Sequence, residues 1–263
     1  GNTYGGDGLI TIATPNLASR HAASSGAAPG GFAYIPGDAY GVPAAALTTM
    51  QMPQHRHSVG VAPDVLDSGL AGGTLALDLN APTLTLRHVI AVEGNTPGSG
   101  WFPFVGMVRS FAGTYDTGEW LHADGRVLPV ASYPTLFQAI GNRYGGDGTT
   151  TFALPDLRGR VIAGAGATSW GSTLALGQTF GAPGIVLGEA QLGPHAHGLP
   201  GSGETSGTGG GQPFDNAQPT MALDYYIVAQ GLYPSYGGGS FPADDATIGE
   251  VFAYAGSQAP DPE

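Results

Sequence analysis

The chain repeats part of itself, and this constrains its fold more than any other feature of the sequence. The stretch GNTYGGDGLITIATPNLASR at residues 1–20 returns as GNRYGGDGTTTFALPDLRGR at residues 141–160. With the same offset of 140, QMPQHRHSV at residues 51–59 aligns with QLGPHAHGL at residues 191–199. A repeat of about 140 residues is far longer than a solenoid repeat. The sequence therefore predicts two copies of one domain.

Two further alignments indicate where the copies begin and end. At an offset of 137, PTLTLRHVIAVEG from residue 82 aligns with PTMALDYYIVAQG from residue 219, and at 143, GMVRSFAG from residue 106 aligns with GEVFAYAG from residue 249. The first copy thus lacks its beginning, and the last segment supplies only the opening strand of another copy. The predicted organisation is an incomplete, diverged unit at 1–100, a complete unit at 101–240 and a C-terminal strand segment at 241–263.

Composition and local pattern favour a mostly β fold. The 46 glycines and 21 prolines punctuate stretches rich in Val, Ile, Leu, Phe and Tyr, as expected for many short strands joined by tight turns. One short helix is predicted in the complete copy. It begins at Pro134, carries Leu136, Phe137 and Ile140 at helical spacing, and stops at Gly141.

The charge balance and the absence of cysteine exclude several classes of partner and linkage. The net charge is −12 and the eight basic residues are all arginine, so a nucleic-acid backbone would be repelled. The chain contains no run of 18 apolar residues, so no membrane-spanning helix is predicted. Disulfides are excluded because the chain has no cysteine. The chain begins with Gly1, so we expect it to be processed or to be a segment of something longer.

The stretch GEWLHADGRVLPVASYPTLFQAIGNRYGGDGTTTFALPDLRGRVIAGAG, at residues 118–166, resembles the phage tail collar domain. That family occurs in phage short tail fibres and in bacterial proteins of the microcystin-dependent type. The features shared with it are W-L-x-x-D-G, Y-P-x-L-F, Y-G-G-D-G-T-T-T-F and L-P-D-L-R-G-R. The resemblance implies an extracellular structural role in trimeric fibres, surface appendages and attachment, with no established catalysis.

Two H-x-H motifs are the sharpest chemical signal in the sequence. On an extended chain, His55 and His57 point to one face, and so do His195 and His197. Two pairs would offer four imidazole nitrogens to zinc, whereas three pairs on a threefold axis would offer six to iron or zinc. The short tail fibres that this sequence resembles use H-x-H in the second way. The alternative is a set of solvated strand histidines, and the Arg56 cation disfavours a metal at the first motif.

The C-terminal segment is the candidate for subunit assembly. Ile248, Val251, Phe252 and Tyr254 alternate with small residues and form the opening strand that the first copy lacks. We expect this strand to add to the incomplete copy of the next subunit in a head-to-tail polymer. A trimer, a fold-back of the strand onto residues 1–60, and completion of the first copy by chain outside this sequence are the alternatives.

Other polar motifs have structural interpretations. Asp7 and Asp147 lie in Y-G-G-D-G turns, where a carboxylate usually accepts backbone N–H bonds. Asp156, Arg158 and Arg160 are predicted to form an ion-pair network.

No catalytic residue is predicted. The chain lacks cysteine, lysine, G-x-S-x-G, H-E-x-x-H and a P-loop, so an enzyme would need a zinc ion with an open position. The runner-up to a fibre subunit is an adhesin that binds a receptor or glycan. Its contacts would come from the Gly/Ser-rich loop at 201–219 and from nearby tyrosines such as Tyr225, Tyr226, Tyr233 and Tyr236.

Overall fold

Short strands dominate the computed structural model, which confirms the mostly β prediction. Its one α-helix among the described residues, α1 (Pro134–Ile140), is accompanied by two 3₁₀ turns, Val130–Ser132 and Glu189–Gln191. The structure describes residues 3–7, 9–11, 13, 15–16, 20–27, 33–42, 47–59, 66–81, 83–94, 104–112, 116, 118–168, 171–199, 203–227 and 251–256.

Most of the strands are only two to five residues long, as the frequent glycines and prolines require. The first ten strands are β1 (His21–Ser24), β2 (Gly26–Ala27), β3 (Ala33–Tyr34), β4 (Ala39–Tyr40), β5 (Ser58–Val59), β6 (Leu66–Asp67), β7 (Leu77–Asp78), β8 (Thr83–Ala91), β9 (Met107–Phe111) and β10 (Trp120–His122). The remaining strands are β11 (Val127–Pro129), β12 (Thr151–Ala153), β13 (Val161–Gly164), β14 (Gly166–Ala167), β15 (Thr173–Leu174), β16 (Thr179–Phe180), β17 (Gly184–Ile185), β18 (Gly198–Leu199), β19 (Gly203–Glu204), β20 (Thr220–Ile227) and β21 (Val251–Tyr254).

The chain forms two compact units, and each draws on both predicted copies of the repeat. Unit 1 comprises residues 1–40, 82–180 and 219–263. Unit 2 comprises residues 41–81 and 181–218. The predicted boundaries at 1–100, 101–240 and 241–263 therefore describe repeated sequence, whereas the compact units are assembled across them.

Unit 1 is built on one sheet of nine strands. Its central order is β1-β8-β9-β21-β20-β13, with β4 and β10 also paired to β8 and β16 paired to β20. The β1–β8 and β13–β20 pairs are parallel and the others antiparallel. The first and last strands of this order, β1 and β13, approach each other near Ser24, whose carbonyl oxygen accepts the Gly159 N–H at 2.7 Å.

The strand pairs follow the offsets found in the sequence. His21 lies opposite Thr83 in the β1–β8 pair, and Val161 lies opposite Thr220 in the β13–β20 pair. The small hairpins also correspond, because β2–β3 matches β14–β15 and β5–β6 matches β18–β19. The sheet of unit 1 therefore places equivalent strands of the two segments on either side of the β9–β21 pair.

Unit 1 buries apolar side chains in two clusters, and α1 covers the larger one. Leu136 and Ile140 of α1 are buried there with Phe152, whereas the smaller cluster is Ala91, Phe104, Met107, Phe252 and Tyr254. The helix begins and ends as predicted, since Pro134 occupies its first turn and Gly141 ends it with φ of 62°. A positive φ of this kind favours glycine and closes the helix.

Candidate metal centre

The two H-x-H motifs occupy equivalent places in unit 2. A pair of backbone hydrogen bonds joins His55 to Ala71, and a matching pair joins His195 to Thr208, at 2.9 to 3.1 Å. Each bridge holds its motif in extended conformation, so the two imidazoles of a motif lie on one side of the chain. Local pairing thus presents each His-x-His as a preformed pair.

The four imidazoles pack together edge to face. Within the motifs the ring centroids are 5.3 Å apart for His55 and His57 and 5.2 Å apart for His195 and His197. Between the motifs, His195 lies 5.2 Å from His55 and 4.9 Å from His57, and His197 lies 4.7 Å from His57. One ring nitrogen each of His55, His57 and His195 falls within 4.8 Å of the other two.

Backbone carbonyls orient three of these rings. The Nδ1 atoms of His55 and His195 lie 2.8 and 3.0 Å from the carbonyl oxygens of Pro53 and Gly193, two residues upstream in each case. The Nδ1 of His57 lies 2.9 Å from the Ser206 carbonyl oxygen. A carbonyl only accepts hydrogen bonds, so each Nδ1 carries a proton, and Nε2 is the nitrogen left to bind a metal ion. This is the arrangement that metal-bound histidines adopt.

The burial of the cluster is uneven. His55 and His57 are each 4% exposed, His195 is half-buried and His197 is exposed at the rim. The Nε2 atom of His57 is buried and has no hydrogen-bond partner within the part of the chain that the structure describes. A buried nitrogen lone pair without a partner is costly in an apoprotein and is satisfied when it binds a cation.

Arg56 does not point into the cluster. Its guanidinium is more than half exposed and lies 3.9 Å from the Asp67 carboxylate. Successive side chains of an extended strand face opposite sides, so the cation is directed away from His55 and His57. Arg56 therefore does not disfavour a metal ion at the first motif, because its charge lies on the other side of the strand.

These residues fit a transition-metal ion. Three imidazoles converge, and a fourth lies against two of them, which matches the four nitrogen ligands that zinc accepts. The residues come from one chain and one compact unit, so a threefold axis is unnecessary to bring two motifs together. The buried cluster of His55, His57 and His195 can hold a metal ion.

The Gly/Ser-rich segment after the second motif supports this cluster, which its composition did not indicate. Thr205 and Thr208 are buried, and the Thr205 hydroxyl oxygen accepts the His197 N–H at 2.9 Å. The Ser206 carbonyl orients His57, as described above. Ser68 is the residue of the first copy that aligns with Thr205 at the offset of 137, and its hydroxyl oxygen accepts the His57 N–H at 3.0 Å. The alignment of these two hydroxyl residues was the sequence signal for this support.

Two further histidines meet in unit 1, where the sequence predicted no cluster. The His88 Nε2 lies 3.2 Å from the Ser110 hydroxyl, and the His122 Nε2 lies 3.2 Å from the Ser24 hydroxyl. Burial is the main cause that lowers the pKa of each imidazole to about 4. The His122 Nδ1 is 3.9 Å from Asp124, too far for a hydrogen bond, and Ser24 is fully buried. This arrangement is consequently not a nucleophilic triad.

The predicted assembly strand is present as β21. It pairs with β20 and β9 of its own chain, with Ala253 opposite Val108. Phe252 and Tyr254 are buried in the smaller apolar cluster, and Val251 is exposed. Ile248 lies outside the described residues.

The turn prediction is confirmed at both aspartates. The ion-pair prediction is confirmed for Asp156 and Arg158 and is wrong for Arg160, whose buried Nε has no hydrogen-bond partner among the described residues. The Asp7 carboxylate accepts the backbone N–H groups of residues 9–11, and the Asp147 carboxylate accepts those of residues 149–151. Asp156 binds the Arg158 guanidinium through both oxygens, at 2.8 and 2.9 Å. Within the described part of the chain, no helix is both long enough and apolar enough to cross a bilayer.

Comparison with known proteins identifies one domain. The family model of the Phage Tail Collar Domain matches residues 106–162, from just before β9 to the start of β13. No curated protein matches the chain, and no solved structure matches it. The matched residues include α1 and the turn at Asp147, whereas the four histidines of the candidate metal centre lie outside them.

Proposed function

We propose that this chain is a structural subunit of an extracellular fibre or filament similar to a phage tail fibre. The observation that carries the proposal is the tail collar match at residues 106–162. The collar domain is generally non-catalytic, so the proposed role is mechanical and adhesive rather than enzymatic. A receptor or glycan on a cell surface is the partner that such an appendage would meet.

The proposal includes a second, diverged collar-like unit in the first copy. The strand pairs of residues 21–91 correspond to those of residues 161–227, with the offsets seen in the sequence. Such a correspondence supports common ancestry of the two segments, although the family model matches only the second.

Subunits would join through β21 in this proposal. The strand lies between β9 and β20, and residues 228–250 connect it to β20. A connection of that length reaches up to about 75 Å when extended, so β21 could enter the same position in a neighbouring subunit. Exchange from each subunit to the next is a heterologous contact, which builds an open filament.

Exposed apolar side chains favour self-association as well. Met50, Leu66, Leu70 and Leu75 of unit 2 are each more than half exposed. Their counterparts in the second copy are small or polar: Ala190, Gly203, Gly207 and Gln212. An apolar surface that is more extensive on one of two related segments suits a heterologous contact, and exposed patches of this kind mark interaction sites.

A cysteine experiment tests the exchange directly, because the natural chain has no cysteine. Val108→Cys and Ala253→Cys are placed in separate chains that carry different tags and are co-expressed. Since these residues lie directly opposite in the β9–β21 pair, exchange would produce a disulfide between the two chains. A third chain carries both substitutions as the control. A disulfide that forms only in that chain, and never between the two single-cysteine chains, would contradict exchange.

Negative-stain microscopy tests the fibre itself. The wild-type chain is expected to form filaments, and Leu66→Gly, Leu70→Gly and Leu75→Gln together are expected to shorten or abolish them. Val127→Thr is the matched control, because Val127 is similarly exposed but lies in unit 1. Compact trimers or monomers that bind glycans without polymer would favour the adhesin instead.

The proposal also places zinc or iron at the histidine cluster. Zinc is the better fit for four imidazoles within one chain, whereas iron or zinc with six nitrogens would require three chains. Metal analysis with the mass of the assembly separates these, since the first gives one ion per chain and the second gives one ion per three chains for each motif that takes part.

A further inference from the structure

Unit 2 has very little apolar interior. Both hydrophobic clusters lie in unit 1, and Leu187 is the only large apolar side chain that is buried among the described residues of unit 2. The buried side chains there are otherwise mostly polar and include His55 and His57. Several of its larger apolar side chains are exposed instead: Val42, Leu47, Met50, Leu66, Leu70, Leu75, Val186 and Phe214.

The remaining contacts within unit 2 are small. Its strand pairs, β5–β6, β7–β17 and β18–β19, contain two residues on each strand. Paired strands this short are at most marginally stable in water, and a domain too small to bury a core needs a disulfide, a metal or a partner subunit. A disulfide is excluded because the chain has no cysteine.

The histidines lie where the two segments of unit 2 meet. His55 and His57 belong to residues 41–81, and His195 and His197 belong to residues 181–218. Beside them, the Ser206 N–H donates to the Ser58 carbonyl at 2.9 Å, and the Ser58 N–H donates to the Ser206 hydroxyl at 2.8 Å. An ion bound by imidazoles from both segments would crosslink parts of the chain that are far apart in sequence.

We infer that unit 2 folds around this ion, which takes the place of an apolar core. The inference rests on the metal site of the proposed function and adds a consequence for folding. One ion per chain holds the two segments together, and unit 2 opens when the ion is removed. Unit 1, which has its own apolar clusters, stays folded. A structural metal stabilises a unit in this way because the preformed site does not exist in the unfolded chain.

Hydrogen exchange on the full chain tests the inference. Zinc-loaded protein is compared with protein stripped by a chelator, and bound zinc is counted by elemental analysis. The bridging amides of His55, Ala71, His195 and Thr208 are expected to lose protection by about 100-fold on stripping, because local opening then costs little. The amides of β8, β9 and β12 are expected to exchange at the same rate in both states.

Variants of one ligand give a second readout. His57→Gln is expected to behave like the stripped protein and to ignore the chelator, whereas His57→Cys retains a zinc ligand and is expected to keep most of the protection. His88→Gln is the matched control, because it removes a buried imidazole from unit 1 instead. Protection of β8 and β9 in the His57 variants verifies that unit 1 is folded.

The outcomes separate the folding inference from the proposals on which it rests. Loss of one zinc per chain with unit 2 still protected would overturn the inference and leave the metal site standing. Failure to bind zinc, with unit 2 protected throughout, would overturn both. Zinc held between three chains, at one ion per three chains for each motif that takes part, would also overturn the inference as stated. None of these results decides the fibre role, which microscopy tests separately.

Discussion

Asp147 organises its turn through a single carboxylate oxygen, which accepts three backbone N–H groups at 2.7 to 2.8 Å. The second oxygen accepts the Thr150 hydroxyl, and together these bonds hold the pKa of Asp147 well below its ordinary range. The Y-G-G-D-G motif therefore has a structural explanation in both places where it occurs. This much could be predicted from the sequence, because the contacts lie within five residues.

Gly146 is the residue of this turn that tolerates substitution least. Its φ is 88°, and a Cβ there would lie 2.5 Å from the Phe152 Cα and 2.6 Å from the Thr151 carbonyl oxygen. We expect Gly146→Ala to lower the free energy of unfolding by about 2 kcal/mol or more. Urea denaturation checks this against Gly118→Ala, where a Cβ meets open space. Equal stability of the two variants would contradict the strain argument.

His88 makes unit 1 sensitive to acid. Its pKa is lowered to about 4 by burial, with a further contribution from the neighbouring His122, so the unfolded chain binds the proton more readily. Stability is therefore complete above pH 6.5 and is lost as the pH falls toward 4. We expect the free energy of unfolding to fall by about 2 kcal/mol between pH 7 and pH 5 from this residue.

The measurement for His88 uses urea unfolding followed by the fluorescence of Trp120, with Trp101 and Trp170 replaced by phenylalanine. His88→Gln is expected to flatten the change between pH 7 and pH 5. The residual slope would come from His122, whose surroundings include Arg87, Asp116, Asp124 and Arg126. An unchanged slope in His88→Gln would show that the buried imidazole does not govern acid sensitivity.

At the scale of secondary structure, α1 was the most predictable element. Pro134, the apolar spacing and Gly141 are local signals, and the structure follows all three. The cluster of His88 and His122 was not predictable, because pairing of β10 with β8 brings the two residues together across 34 positions of sequence. The same reason explains why Thr205 and Ser206 were missed as supports of the metal centre.

The buried face of α1 gives a prediction at this scale. Leu136→Ala removes a fully buried side chain from the larger cluster and is expected to cost about 2 to 5 kcal/mol of stability. Gln138→Ala, on the exposed face of the same helix, is expected to change stability by less than about 0.5 kcal/mol. Urea denaturation of both variants is the measurement. Similar losses in the two variants would contradict the assignment of this stability to the buried face of α1.

At the scale of the whole molecule, the repeat was visible in the sequence but the compact units were not. A repeat indicates which segments are related, whereas the units depend on which segments pack together. Residues 41–81 and 181–218 are equivalent parts of the two copies, and they form unit 2 with each other rather than with their sequence neighbours. An offset in sequence carries no information about that choice.

Removal of β21 is expected to loosen two distant parts of unit 1 together. A chain that ends at Gly239 would leave β9 and β20 without a shared neighbour and uncover Phe104 and Met107. We expect amide exchange in both β9 and β20 to accelerate by about tenfold or more, since both lose a hydrogen-bonded strand. Val251→Thr, which changes an exposed side chain of β21, is the control. Loosening of β20 alone would contradict the central position of β21.

The position of β21 also determines when unit 1 can finish folding. Its residues, 251–254, come after every other strand that the structure describes, yet they lie in the middle of the sheet rather than at an edge. Synthesis must therefore pass residue 254 before the chain's own β21 can join β9 to β20. Contacts between residues so far apart in sequence form slowly, because the intervening chain has to be ordered first. During synthesis, β9 and β20 consequently each have one unpaired edge until β21 is added between them.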